Sequence, residues 1–296
     1  MTTNGTTHDD DYRRVALDIL RNVSYEIMPF KDTEDNVLEH VPRDVALTVT
    51  VAQAKGIDVT VDLAGRLAQH GYRVAPHLAA RAVKDKSHAS DLLAELTAVG
   101  ISEVFIVGGD IPSPAGEFTA AINLLEIVHE TGNFHRVGFG GYPEGHATIS
   151  EVALQTALKQ KAPLASHVIT QICFDAETTV SWARHVHENH PQLGVVVGVP
   201  APVGRQKLMR ISASIGLGQS ARFLRKQQAL IWRLIQPGGY RPDKLLRTFV
   251  PHLGRPDTKI EGIHLFTFNE LRLAETWRQE SLLKLCGTTH HGREES

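Results

Sequence analysis

The sequence predicts a single (β/α)8 TIM barrel, and three observations predict it. Eight short β-branched or apolar runs recur along the chain, most of them continuously apolar rather than alternating, the pattern of strands buried on both faces of a parallel sheet. Segments with helical spacing separate them, and βα alternation over eight units is the signature of a closed barrel. No Pro/Gly/Ser-rich linker divides the 296 residues, a length that two domains of about 150 would otherwise fill.

The elements follow in order. Residues 1–11 are polar and are expected as a disordered tail, with the barrel over 12–286 and a second tail at 287–296. Tyr12–Leu20 reads as a short amphipathic helix. The strand runs are Ser24–Phe30, Ala46–Ala52, Arg73–Ala79, Glu103–Gly109, Val137–Pro143, His167–Phe174, Leu193–Ala201 and Gly262–Phe268. Ile57–His70 carries apolar residues at 61, 63, 64 and 67, and Ser87–Val99 carries Leu92, Leu93 and Leu96 before the stop at Gly100. Ala115–Glu130 and Thr148–Gln160 have similar patterns. Ala176–Asn189 opens behind Asp175 as N-cap, and Asn269–Leu285 begins with a cap and an acidic turn. The crossover between strands 7 and 8 is a long helical excursion of about 60 residues. It holds Gly204–Ile215, a Gly216-Leu-Gly218 break, a helix at Ser220–Ile235, a Pro237-Gly-Gly239 stop and a helical piece near Pro242–Phe249. Such an excursion at the catalytic face often becomes a lid or a substrate wall.

Composition narrows the function. Lys and Arg number 31 against 33 Asp and Glu, so no basic excess points to nucleic acid. The longest near-continuous apolar run, Leu193–Val203, falls short of the ~18 residues of a membrane helix, and no apolar segment follows Met1 as in a secretory signal. Cys173 and Cys286 are too few for a disulfide framework or a cysteine zinc site, and a reducing cytoplasm is the expected setting.

The active site of such a barrel forms at the C-terminal strand ends. Those ends deliver Glu26, then Thr48, Thr50 and Gln53, then His77, then Gly108-Gly109-Asp110, then Tyr142-Pro-Glu144-Gly-His146, then Thr170, Gln171 and Asp175, then Pro200-Ala-Pro202, and last Thr267 and Asn269. Glu26 sits in an otherwise apolar strand, where desolvation raises a carboxyl pKa and suits it to general acid catalysis; the other reading is a salt-bridged barrel carboxylate. Asp110 follows two glycines that let backbone approach a ligand, or else caps the next helix. Gln171 reads as a buried amide in need of a partner, from a ligand or a carbonyl. Strand 1 lacks the His-x-His of a metal hydrolase, no Lys sits at a strand end for a Schiff base, and no Gly-x-Ser-x-Gly elbow is present. His185-Val-His187-Glu-Asn-His190 is expected as a solvated helix face, because residues two apart point to different sides, so no metal is expected. Gly216-Leu-Gly218-Gln-Ser-Ala221 fits a dinucleotide fingerprint, but no strand precedes it and no acidic residue follows at about 20, so it reads as a helix break.

Six stretches carry a further signal: Ser24-Tyr-Glu26-Ile-Met-Pro29, Ala75-Pro-His77-Leu78, Gly109-Asp110-Ile-Pro112, Tyr142-Pro-Glu144-Gly-His146, Ile169-Thr-Gln171-Ile-Cys-Phe174-Asp175 and His264-Leu-Phe-Thr267-Phe-Asn269. Taken in order, they resemble the strand-end motifs of the methylenetetrahydrofolate reductase family. The resemblance implies reduction of 5,10-methylenetetrahydrofolate to 5-methyltetrahydrofolate, with Glu26 and Asp110 catalytic and Asp110 and Gln171 on the pterin edge. Phe223 is assigned to a wall for the p-aminobenzoate ring, and Arg222 or Lys226 to the glutamate tail. Thr50, His77, Gly109, Tyr142 and His146 match cofactor-side positions. Typical members hold FAD, with an Arg before the strand-4 Gly-Asp and Asn, Arg and Lys on the helix after strand 5. Here Gly108 takes the first position, and Ala157 and Gln160 replace the Asn and the Arg ahead of Lys161. The expectation is therefore a short, flavin-independent branch in which NADH or NADPH delivers hydride directly. An FAD-dependent reductase and a non-catalytic folate-binding paralogue are the alternatives. Nothing in the sequence locates the ribose 2′ contact that separates NADH from NADPH. Family members are commonly homo-oligomers, which leaves room for self-association here.

Overall fold

The computed structural model describes residues 4–51, 56–146, 148–204 and 240–287. Eight parallel strands pair in chain order and close on themselves: β1 (Ser24–Ile27), β2 (Ala46–Val49), β3 (Val74–Ala79), β4 (Glu103–Val107), β5 (Arg136–Gly141), β6 (His167–Thr170), β7 (Gly194–Pro200) and β8 (Ile260–Phe266). Strand β1 pairs with both β2 and β8, which is the closure. Helices α1 (Asn4–Arg21), α2 (Thr33–His40), α3 (Asp58–Gln69), α4 (Lys86–Ala98), α5 (Ala121–Thr131), α6 (Glu151–Lys161), α7 (Ala176–Asn189), α8 (Asp243–Phe249) and α9 (Leu271–Gly287) accompany the strands. No described helix is long and apolar enough to cross a membrane.

Among the described residues the expected elements are present, with four differences. Helix α9 begins at Leu271 and has no acidic residue in its first turn, where an acidic turn from Asn269 was expected. The opening stretch expected as a tail over 1–11 is helical from Asn4. Once Tyr12–Leu20 nucleates a helix, extending it through polar residues costs little per residue, and an apolar stripe is not required. Helix α2 was not legible because only Thr33 and Val37 are buried on it. Helix α5 starts at Ala121 rather than 115, because residues 108–120 form an irregular loop. Residues 205–239 lie outside the described residues, and with them Phe223, Arg222, Lys226 and the Gly216–Ala221 motif; Gln53 does as well.

Ladder partners share a face, so the register tells which side chains point into the barrel. Glu26 pairs with Thr48 and Phe266, His77 with Phe105, Phe105 with Gly138, Gly138 with His167, and Gly198 with His264. Phe105, Ile169 and Val196 form a small apolar cluster on that inner face. The larger core lies between strands and helices and holds Ile27, Leu47, Leu67 and Phe139 fully buried, each worth about 1.5–3 kcal/mol.

Two inward glycines are steric necessities. A Cβ at Gly138 would meet His167 Nε2 at 2.5 Å and a Phe105 ring carbon at 2.8 Å, so glycine makes room for both rings. A Cβ at Gly198 would meet the Thr170 carbonyl oxygen at 2.3 Å. That atom is backbone of the neighbouring strand and cannot swing aside. Gly198→Ala is expected to destabilise the fold by about 1–3 kcal/mol, read from the denaturant midpoint at unchanged slope.

Candidate active site

The C-terminal strand ends open into one cleft of about 1770 Å³, lined among others by Glu26, Thr50, His77, Gly109, Asp110, Tyr142, His146 and Gln171. All eight of these were expected from the sequence as catalytic, substrate-side or cofactor-side residues; Phe223, Arg222 and Lys226 lie outside the described residues, and Thr48, Glu144, Asp175, Thr267 and Asn269 do not line the cleft. The volume exceeds the roughly 300–1,000 Å³ of a single small-molecule pocket, so two ligands can meet here.

Glu26 is set into the wall near the barrel axis. No described basic group lies within ion-pair distance of it, so the salt-bridge reading drops away. Three buried histidines of the barrel are neutral at neutral pH. Burial pushes His77, His167 and His264 down to about 3, with the charge of His264 adding to the effect on His77, and Arg136 and His264 adding to that on His167. His264 is further held by Ser24, Oγ to Nδ1 2.8 Å. The Glu26 carboxyl keeps a partial opening to the cleft but has protein on its other sides. Burial with no compensating cation pushes it up to about 8. It therefore carries a proton at neutral pH.

Asp110 stands at the rim, exposed, eleven residues ahead of the first residue of α5, so it is not that helix's cap. Gly109 before it has φ +89°, and a Cβ there would press the Ala79 Cβ at 3.0 Å, so glycine is needed for the turn. Asp110 faces a ring pair, Tyr142 and His146, stacked edge to face at 5.0 Å. Burial raises the Tyr142 pKa and the Asp110 charge adds to it; burial lowers that of His146 and the Asp110 charge works against the lowering.

Gln171 differs from expectation. It is exposed, because it lies one residue past the end of β6, in the open mouth. Its amide oxygen accepts from the Ile172 N–H at 2.8 Å, which fixes the amide plane and leaves its NH2 directed away from that bond. Two buried polar atoms, His77 Nε2 on the cleft wall and Thr48 Oγ1 on the strand beside Glu26, have no partner among the described residues. Such atoms are ordinarily met by water or ligand. The His77 ring is held from its face by Phe105, centroids 4.6 Å apart.

Two residues of the strand-end set have supporting roles that the sequence did not show. Glu144 accepts from the Phe174 and Asp175 N–H groups at 2.7 and 3.0 Å, tying the loop after β5 to the entry of α7. Asp175 then caps α7, as expected, accepting from Glu177 and Thr178 N–H. Asn269, at φ +59°, exchanges both amide groups with the Met28 backbone and so fixes the end of the strand that carries Glu26. Glu144 was placed at the end of strand 5 by the sequence, without its partners. The long-range partner of Asn269 had no signal in the sequence.

Among the described residues no group of three His, Cys, Asp or Glu is placed to hold a metal; of the three histidines expected on a solvated face of α7, His185 is exposed, whereas His187 and His190 are half-buried and His187 Nδ1 is buried with no partner among the described residues. The family model for methylenetetrahydrofolate reductase matches residues 18–216. The chain belongs to the methylenetetrahydrofolate reductase family. The matched span runs from the last turn of α1 to beyond β7 and contains Glu26, Asp110 and Gln171. A protein described as a probable methylenetetrahydrofolate reductase (NADPH) of Caenorhabditis elegans is 30% identical over 127 residues, which cover 40% of this chain and 19% of that protein. The chain thus matches about a fifth of the length of that relative. Among solved structures, a chain of the tryptophan synthase α2β2 complex from the hyperthermophile Pyrococcus furiosus superposes with a TM-score of 0.48 at 11% identity, covering 90% of this chain and 98% of that one.

Proposed function

We propose that this protein reduces 5,10-methylenetetrahydrofolate to 5-methyltetrahydrofolate, taking hydride directly from NADH or NADPH without a flavin. The observation that carries the reading is Glu26, a carboxyl set without a described cation partner in the wall of a cleft of about 1770 Å³, where burial pushes it up to about 8. The chemistry needs such a group. Glu26 gives its proton to N10, the bond from N10 to the methylene carbon breaks, and an N5 iminium forms on the substrate. Hydride from the dihydronicotinamide adds to the methylene carbon and completes the methyl group, with the two reacting carbons about 3–3.5 Å apart. Asp110 and the Gln171 NH2 hold the donors and acceptors of the pterin edge, and the Asp110 carboxylate offsets the cationic charge of the iminium. Solvent returns the proton to Glu26 after product leaves.

The cations along the cleft fit an exchanging dinucleotide better than a resident FAD. At 108 a glycine leaves open space, with nothing within 4 Å of an added Cβ. Arg81 lines the cleft, but its guanidinium is taken up by loop carbonyls. Helix α6 presents Ala157 and Gln160 there with one ammonium, Lys161, 4.3 Å over the Phe139 ring and pushed down to about 8 by burial; Lys84, after β3, is the other ammonium of the lining. Each missing charge-assisted bond removes roughly 1.5–3 kcal/mol. A prosthetic group has to survive purification at that loss. A co-substrate that exchanges every turnover needs only micromolar to millimolar affinity.

The test is the visible spectrum of the freshly purified protein, followed by NADH and NADPH oxidation with methylenetetrahydrofolate, with and without added FAD. A colourless protein with turnover independent of FAD is expected. A yellow protein, or turnover that requires FAD, overturns the flavin-free reading. No turnover with either nicotinamide and with FAD supplied overturns the reductase reading and favours a folate-binding protein.

A further inference from the structure

The loop that presents Asp110 has no helix or strand of its own over residues 108–120. Segments of this length without internal structure need an anchor, or they sample many conformations. The far half of this loop is held by Glu117 N–H donating to the Lys84 carbonyl at 3.1 Å and by the buried Phe118 ring, and the stretch around Asp110 is held by one side chain from the neighbouring strand end. Arg81 lies in the short turn after β3, two residues past Ala79. Its Nε donates to the Ile111 carbonyl at 2.9 Å, its Nη2 to Pro112 at 2.6 Å and its Nη1 to Thr119 at 3.4 Å. Its backbone joins in: Arg81 N–H donates to Gly108 at 3.0 Å, and its carbonyl accepts from Ala115 N–H at 2.8 Å. Both ends and the middle of the loop thus meet one residue. No described carboxylate lies within ion-pair distance of the guanidinium, so its charge is spent on carbonyls. Asp110, between two of the tethered residues, keeps its carboxylate for the cleft.

We propose that Arg81 is the positioning residue for Asp110, holding the substrate-contacting carboxylate in place through the backbone of its loop. This rests on the reading above that Asp110 touches the pterin. A guanidinium suits the task because its rigid fork reaches three carbonyls at once, whereas a lysine ammonium is a point donor on a flexible stem. A residue acting only through Asp110 loses its influence when Asp110 is removed, and a general structural role does not.

The experiment is a double-mutant cycle on tetrahydrofolate and NADH affinity, using Arg81→Ala, Asp110→Asn and the pair, with Arg81→Lys run through the same cycle in case the alanine variant folds poorly. Arg81→Ala is expected to weaken tetrahydrofolate binding about tenfold and to leave NADH affinity within twofold. In the Asp110→Asn background the same change is expected to weaken binding less than twofold. Arg81→Lys should fall between wild type and Arg81→Ala. Additive losses, or folate binding that ignores Arg81, overturn the proposal. Amide exchange over 108–120 keeps its failure separate from that of the functional reading. A wild type that binds no folate refutes both assignments to the pterin, while faster exchange in Arg81→Ala still reports the clamp; unchanged exchange refutes the clamp itself.

Discussion

Glu26→Gln is expected to lose 10²–10⁴-fold in turnover while binding tetrahydrofolate and nicotinamide nucleotide as the wild type does, because glutamine keeps the shape and lacks the proton. The pH dependence separates acid catalysis from mere packing. The carboxyl sits at about 8, so wild-type kcat/KM should be level below that and fall about tenfold per pH unit above it. The residual rate of the variant should lack that limb. A variant within threefold of wild type removes Glu26 from the mechanism. Stability changes in the opposite sense. Burial raises this carboxyl from the usual value near 4.5 to about 8 in the folded protein. Between those values the unfolded chain has released the proton and the folded chain holds it, so wild-type stability falls as pH rises through that window. Glutamine has nothing to release. The variant should therefore gain on wild type between pH 5 and pH 8, by a few kcal/mol at most, since a tenfold change in proton affinity is worth about 1.4 kcal/mol. Urea midpoints of both proteins at the two pH values measure it.

The parts of this site that could be read in advance share a cause. Strands of a parallel barrel are apolar on both faces, so a lone carboxyl in Ser24-Tyr-Glu26-Ile is conspicuous, and strand ends are where barrels do chemistry. Glu26, His77, Asp110, Tyr142 and His146 follow from those two facts, and the cleft brings them together. What stayed hidden depends on contacts between distant segments. Arg81 looks like any surface arginine until the loop after β4 folds back over it. Asn269 shows its purpose only when β8 closes beside β1. Gln171 was misjudged because an apolar run does not reveal where its strand ends; β6 stops at Thr170, and one further residue changes burial to exposure. Helix α2 was missed for the reverse reason, since it rests on too few buried positions to leave a periodic trace.

Arg278→Ala is expected to destabilise the protein by about 3–5 kcal/mol, the opposite sign to Glu26→Gln, although both changes remove a buried ionisable group. The difference lies in partners. Glu275 on α9 is buried, and it is satisfied on every side. Tyr25 OH donates to it at 2.8 Å, Arg278 Nε and Nη2 donate to its two oxygens at 2.9 Å each, and Gln279 donates at 2.6 Å. Arg278 spends its remaining reach on the Leu20 carbonyl at 3.1 Å. The network locks α9 to α1 and to β1, one residue before Glu26. Removing the guanidinium leaves a carboxylate in a dry site with two neutral donors, which do not offset its desolvation. Replacing both members, as in Glu275→Gln with Arg278→Met, removes the stranded charge and should recover more than half of the loss. Denaturant midpoints for the two single variants and the pair test this. A loss below 1 kcal/mol for Arg278→Ala, or no recovery in the pair, shows that the network does not anchor the strand. Turnover separates the two carboxylates again. Below its melting transition Arg278→Ala should keep kcat within about tenfold, because the network fixes the strand and leaves the acid intact, whereas Glu26→Gln keeps the strand and removes the acid.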